Sequence, residues 1–309
     1  MSVPQFTSGR MPPAAHNAAW LTPYLPWLDR AGRVSPFKAL VFMLLLLPGI
    51  YVAWQLATHA YARPYILANH DLGLWAIRLL FVTLAVTPFR QSLGLPKLIL
   101  VRRMVGVAAF CYALAHFAFF ALDKSLLIWV VVREIALRYY LTIGFIGLLI
   151  LVALAITSTD GMVRRLGGKK WGALHRLVYG AGLLAVVHFF IQSKADVTEP
   201  FIMGGMFLWL MLWRLLSKRG LLQRGIASIA ILIILALLAA AASAGAEALY
   251  YHLKTGVDLT RVLATNWSFG IGLRPAWVVG GAGLAVAVGA AFRPLWSKHS
   301  GGQRRAVAA

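Results

Sequence analysis

The sequence predicts an all-α integral membrane protein, a polytopic helical bundle with about eight transmembrane helices. Of its 309 residues, 61% are hydrophobic and only 13% are charged. Soluble domains carry about 25% charged residues, so this composition indicates a chain that is largely surrounded by lipid. The apolar residues form long uninterrupted runs. This excludes a membrane β-barrel, because barrel strands alternate between polar and apolar positions.

Eight apolar runs are long enough to cross the hydrocarbon core of a bilayer, which takes about 20 helical residues. They occupy residues 38–58, 72–89, 104–122, 139–159, 173–192, 200–217, 225–246 and 275–292. The polar, proline-rich residues 1–37 precede the first run and predict a cytoplasmic tail. Residues 247–274 form the longest connection between two runs, and we expect them to be non-helical.

The strongly positive charge orients the chain in the membrane and is no evidence for nucleic acid binding. The formal net charge is +21, but most lysines and arginines lie in every second connection, as in residues 90–103 and 160–172. The positive-inside rule therefore predicts that both termini are cytoplasmic and that the basic segments contact anionic membrane lipid. Arg78 lies within the second run, where we expect its side chain to snorkel toward the outer interface.

Two features that the sequence lacks narrow the possible functions. Cys111 is the only cysteine, which excludes a disulfide framework, a covalently attached CxxCH haem and cysteine-ligated iron–sulfur clusters within this chain. The sequence contains neither a GxGxxG motif nor a P-loop, so it encodes no nucleotide-binding domain. If the protein transfers electrons, it must take them from a partner protein or from quinol.

Three histidines inside the apolar runs form the candidate site. His116 lies in the third run, whereas His175 and His188 both lie in the fifth. An ionisable side chain within the bilayer needs a partner, and a neutral imidazole is a common axial ligand of haem iron. Because the third and fifth helices cross the membrane in the same direction, we expect His116 and His188 at similar depth, as the two ligands of one haem.

His175 lies at a different depth from that pair. It precedes His188 by thirteen residues, which corresponds to about 20 Å along a helix axis. It could bind a second haem near the cytoplasmic side, but the third run has no histidine at that depth. Arg102 or Arg103 takes this place, and a guanidinium group is a good partner for a haem propionate.

Several alternatives remain open at this point. His175 and His188 point about 140° apart on an ideal helix, so either two haems lie on different faces or Gly180 and Gly182 permit a local irregularity. A membrane histidine can also form an interhelical hydrogen bond, as in a haem-free transporter or assembly factor. Acidic residues are nearly absent from the runs, apart from Glu247 at the end of one, which argues against a proton-relaying transporter.

Three stretches of the sequence stand out, namely Arg102–Gly106 leading to His116, Ile156–Thr159, and Leu166–Tyr179 with its run KKWGALHRLVY. Together they resemble the MsrQ (YedZ) family of bacterial membrane proteins. The similarity extends over residues 40–219. It implies a ferric-reductase-like, haem-binding transmembrane domain at residues 38–219, which leaves residues 220–309 as a C-terminal two-helix extension.

The resemblance implies one or two b-type haems, with His116, His175 and His188 as axial ligands, in a bacterial inner membrane. It implies that electrons pass from a cytoplasmic flavin reductase or from quinol to a periplasmic molybdopterin enzyme that reduces methionine sulfoxide in oxidised proteins. The family is also associated with FMN, although no motif here places a flavin. We expect the substrate chemistry in the partner, and a transmembrane ferric or other metal reductase is the alternative within redox chemistry.

Overall fold

A computed structural model describes residues 25–29, 31–193, 196–222, 225–266, 268 and 272–306. Within these ranges the chain is helical, and its β structure is limited to one isolated bridge. Eight helices in the described part are long and apolar enough to cross a membrane. This confirms the predicted all-α polytopic fold, with spans close to the eight apolar runs.

Eleven α-helices follow one another along the described residues. They are α1 (Pro36–Ala57), α2 (Pro64–Leu93), α3 (Ile99–Asp123), α4 (Ile128–Leu137), α5 (Tyr139–Ile156), α6 (Asp160–His175), α7 (Leu177–Gln192), α8 (Thr198–Lys218), α9 (Ile226–Thr255), α10 (Leu259–Thr265) and α11 (Pro275–Ala306). One candidate span lies within the stretch that α6 and α7 form together, whereas α4 and α10 are too short to cross a bilayer.

The described residues up to Leu47 form a compact unit of their own. Residues 1–24 and residue 30 of the predicted tail lie outside the described residues. The part just before α1 forms a turn that is closed by a bridge between Leu28 and Val34. The carboxylate of Asp29 accepts hydrogen bonds from two backbone N–H groups inside this turn, so the segment that leads to α1 has local structure.

Within the second unit, residues 48–309, neighbouring helices pack in pairs. The main pairs are α2 with α3, α5 with α7, and α9 with α11. Helix α2 also contacts α7, α8 and α11, and half of its apolar window is buried, the largest share of any span. Many apolar side chains on the other spans are exposed, as expected where lipid replaces water as the surrounding solvent.

The expectation that residues 247–274 are non-helical is wrong. Helix α9 continues to Thr255 and ends at Gly256, which adopts the left-handed conformation that favours glycine. Helix α10 follows, and the carboxylate of Asp258 caps it by accepting the N–H of Thr260 at 2.7 Å. The capping residues are visible in the sequence, but a seven-residue helix is too short for an apolar periodicity to reveal it.

Two ion pairs explain charged side chains that lie within the spans. Arg78 donates to the carboxylate of Glu199 at 2.6 Å, so the expected snorkelling does not describe it. Glu247 lies inside α9 rather than at its end, is fully buried, and accepts a hydrogen bond from Arg274 at 2.8 Å. A buried carboxylate requires such a partner, because removing an isolated charge from water costs several kcal/mol.

Candidate haem-binding site

The structure brings His116 of α3 and His188 of α7 together. Their ring centres are 6.3 Å apart, and the ring planes make an angle of 78°. Two imidazole–metal bonds of about 2 Å, each with about 1 Å more from the nitrogen to the ring centre, add up to about 6 Å. The separation of the two rings therefore fits a single metal ion bound between them.

Both imidazoles are held through the same ring nitrogen. The Nδ1 of His116 lies 2.7 Å from the backbone oxygen of Asn69, and the Nδ1 of His188 lies 2.8 Å from that of Tyr140. A carbonyl oxygen can only accept, so each Nδ1 carries the proton and each Nε2 keeps its lone pair. Metal-binding histidines usually show this arrangement, in which the second ring nitrogen donates to a carbonyl or carboxylate.

The donor set favours haem over an ion that is held by protein groups alone. In the part of the chain that the structure describes, no group of three or more His, Cys, Asp or Glu side chains could hold a metal ion. Structural zinc sites use four protein ligands, and catalytic ones use three. Two facing imidazoles suit a metal that brings its other ligands with it, as the iron of a porphyrin does.

His175 has a different environment from this pair. The indole ring of Trp171 stacks on its imidazole, with ring centres 3.9 Å apart. Its Nε2 lies 3.1 Å from the hydroxyl of Thr157, whose hydrogen points to the backbone oxygen of Ala153 at 2.7 Å. The Nε2 of His175 therefore donates to Thr157, so the nitrogen that is left open in the other two histidines is engaged here.

Two arginines lie close enough to His175 for their charges to act on its imidazole, namely Arg102 and Arg103. Arg103 also forms an ion pair with Asp160 at the start of α6, with 2.5 Å between nitrogen and oxygen. Of these two arginines, Arg102 forms no ion pair with any described residue.

Sequence reasoning missed Arg214 of α8, which lies on the same side. Its guanidinium group lies 5.2 Å from the ring centre of Tyr179 and donates to the backbone oxygens of Leu210 and Leu84. Its charge also interacts with that of Arg102. From the sequence it looks like one more basic residue at the end of a span. Only the contact with Tyr179, the last residue of the run KKWGALHRLVY that contains His175, distinguishes it.

The helix that carries His175 and His188 is interrupted between them. Helix α6 ends at His175 and α7 begins at Leu177, so the interruption lies at Arg176. A second irregularity is at Gly167, which has a φ of 74° inside α6. Helix α7 continues without a break through its own glycines, so the irregularity considered for Gly180 and Gly182 lies earlier in the chain.

These features define a class, the polytopic membrane proteins whose helices present paired histidines. Residues 72–186 match the family model described as the ferric reductase like transmembrane component. The matched residues include His116 and His175, and His188 follows just beyond them. No solved structure matches the chain.

Curated relatives narrow the class to one family. The chain is 45% identical over 167 residues to a protein of Xanthomonas axonopodis pv. citri named protein-methionine-sulfoxide reductase heme-binding subunit MsrQ, with 53% of this chain and 76% of the relative covered. It is 41% identical over 188 residues to the protein of the same name from Rhodospirillum rubrum, with 60% and 88% covered. The chain belongs to the MsrQ family.

Proposed function

We propose that this protein is a haem b electron-transfer subunit of the membrane, with one haem bound between His116 and His188. The observation that carries the proposal is the pair of facing imidazoles, 6.3 Å apart, each held at Nδ1 by a backbone oxygen. The names of the relatives support it, because they describe haem-binding subunits of a methionine-sulfoxide reductase.

The residues of this chain would set the properties of the bound haem. Haem held by His116 and His188 would supply reversible one-electron chemistry, and with both imidazoles bound its iron would have no place for a substrate. Hydrogen bonds from Nδ1 to Asn69 and Tyr140 make both imidazoles stronger ligands, which favours the oxidised iron. The protein would thus carry electrons, and the reduction of methionine sulfoxide would take place in its partner.

We propose the orientation that the basic residues predict, with the His175 end of the bundle and both termini in the cytoplasm of a bacterial inner membrane. Four basic residues of α6 are exposed, namely Arg164, Arg165, Lys169 and Lys170. With residues 90–103 they would form the docking surface for an electron donor, a flavin reductase with an acidic face or, alternatively, quinol. The acceptor would be a periplasmic molybdopterin enzyme that repairs oxidised methionines.

The role of His175 stays a prediction, as does the binding of FMN. A second haem at His175 would require Nε2 to leave the hydroxyl of Thr157, with Arg102 and Arg214 available to pair with propionates. The Nε2 of His175 has a hydrogen-bond partner, whereas the Nε2 atoms of His116 and His188 are open. One haem is therefore the simplest count that the geometry supports. No residue of the described chain is assigned to FMN.

The test of this proposal compares two variants of the site with a control variant of a histidine outside it. His116→Ala and His188→Ala each remove one ligand of the pair, and we expect each purified variant to lose at least half of its haem b. His252→Ala, which changes an exposed histidine of α9, should keep the wild-type content. The measurement is haem per chain from the reduced-minus-oxidised absorption spectrum. Normal haem content in both site variants would overturn the proposed ligand pair.

A further inference from the structure

Each of the two facing imidazoles lies directly against a glycine of a neighbouring helix. A Cβ atom added to Gly73 of α2 would lie 2.7 Å from the Nδ1 of His116, and one added to Gly144 of α5 would lie 2.8 Å from the Nδ1 of His188. Real Cβ atoms essentially never approach another heavy atom so closely. Neither position can therefore accept even alanine unless the imidazole moves.

The glycine and the hydrogen-bonded carbonyl have the same spacing in both places. Asn69 precedes Gly73 by one helical turn, and Tyr140 precedes Gly144 by the same four residues. The side chain of a helical residue lies over the turn that precedes it. A side chain at the position of either glycine would therefore cover the carbonyl four residues earlier, and glycine leaves that oxygen open to a second hydrogen bond from the imidazole.

We propose that Gly73 and Gly144 are positioning residues for the haem ligands. Each exposes one backbone oxygen and leaves room for one imidazole, so each fixes the rotation of that ring about its bond to the iron. Together the two sites hold the ring planes 78° apart. This inference rests on the proposed haem between His116 and His188, and it assigns the orientation of that ligand pair to two glycines on separate helices.

The orientation of the ring planes has a direct spectroscopic signature. In oxidised low-spin haem, nearly perpendicular axial imidazoles give a strongly anisotropic electron paramagnetic resonance (EPR) signal, whereas parallel rings give a more rhombic one. The hydrogen bonds at Nδ1 also affect the reduction potential through the strength of the ligands. A glycine that only helps helices to pack would influence neither property.

The chain offers a matched control in each helix pair. A Cβ on Gly106 of α3, which faces α2, would meet the methyl group of Thr83 at 3.4 Å. A Cβ on Gly147 of α5 would meet the Cβ of Leu184 in α7 at 3.7 Å. Both distances are longer than those at the imidazoles. Alanine at either control position should therefore leave His116 and His188 in place.

The experiment compares Gly73→Ala and Gly144→Ala with Gly106→Ala and Gly147→Ala in the full-length, haem-loaded protein. We expect each of the first two to lose the wild-type EPR signal and to shift the midpoint potential, and both control variants to keep them. If Gly73→Ala and Gly144→Ala retain the wild-type signal and potential, the proposal is wrong. A wild-type protein without haem would instead contradict the proposed function.

A second comparison decides the matter even if the alanine variants fold poorly or carry no haem. In His116→Ala the imidazole is absent, so the added methyl group of Gly73→Ala has space. We expect Gly73→Ala to lower the melting temperature in the wild-type background and to have no such effect in the His116→Ala background. An equal loss in both backgrounds would show that the glycine serves helix packing, and would overturn the proposal.

Discussion

At the scale of single residues, the same side chain has two different states in this protein. His116 and His188 donate through Nδ1 to backbone oxygens, whereas His175 donates through Nε2 to a hydroxyl group. The difference follows from the neighbouring helix, which offers a bare carbonyl beside a glycine in two cases and Thr157 in the third. Histidine positions therefore separate the facing pair from the third imidazole by depth, but they do not reveal which ring nitrogen of each histidine stays open.

A residue-scale prediction concerns the ion pair between Glu247 and Arg274. Arg274→Ala would leave the fully buried carboxylate without its partner, which costs about 3–5 kcal/mol when one member of a buried pair is removed. We expect a clear fall in the melting temperature of the detergent-solubilised protein, and partial recovery in the double variant Glu247→Gln/Arg274→Ala.

The control for this prediction is Arg261→Ala, which removes an exposed arginine of the neighbouring helix α10. It should change the melting temperature little, because exposed charges contribute at most about 1 kcal/mol. Equal effects of Arg261→Ala and Arg274→Ala would mean that the buried ion pair contributes nothing specific to stability.

At the scale of elements, the sequence was informative where the helices are long and apolar. All eight runs correspond to candidate spans. A helix needs about 20 apolar residues to cross the bilayer, and runs of this length are easily recognised in a sequence. The short helices α4 and α10 and the interruption at Arg176 were not predicted. Their positions depend on local capping and on tertiary packing, which leave little periodicity in the sequence.

The candidate site was partly predictable for the same physical reasons. The depths of His116 and His188 follow from the helical rise and the direction of the spans, and the structure places their rings together. Asn69 and Tyr140 could not be found in this way, because they contribute backbone oxygens that any residue type carries. Gly73 and Gly144 become informative only when the helix facing each of them is known.

At the scale of the whole molecule, the central expectation is the direction of the chain in the membrane. Basic residues 160–172 should face the cytoplasm, and α4 should lie on the opposite side. Because Cys111 is the only cysteine, Cys111→Ser gives a cysteine-free background for labelling. We expect Lys169→Cys to react with an impermeant maleimide only from the cytoplasmic side, and Arg133→Cys only from the outside.

The two labelling variants act as controls for each other, since both side chains are exposed and charged. Labelling from intact cells and from inverted vesicles distinguishes the two sides. If the pattern is reversed, the donor-docking surface proposed for α6 would face the wrong compartment, although the haem-binding pair itself would be unaffected. Labelling of both variants from one side would contradict the assignment of α5 as a span between them.

The most direct test of the central claim is the reduced-minus-oxidised absorption spectrum of the purified full-length protein, with haem measured per chain. The facing imidazoles of His116 and His188 predict a b-type, low-spin spectrum with at least one haem per chain. A colourless protein from cells with ample haem supply would contradict the account and would favour a haem-free transporter or assembly factor.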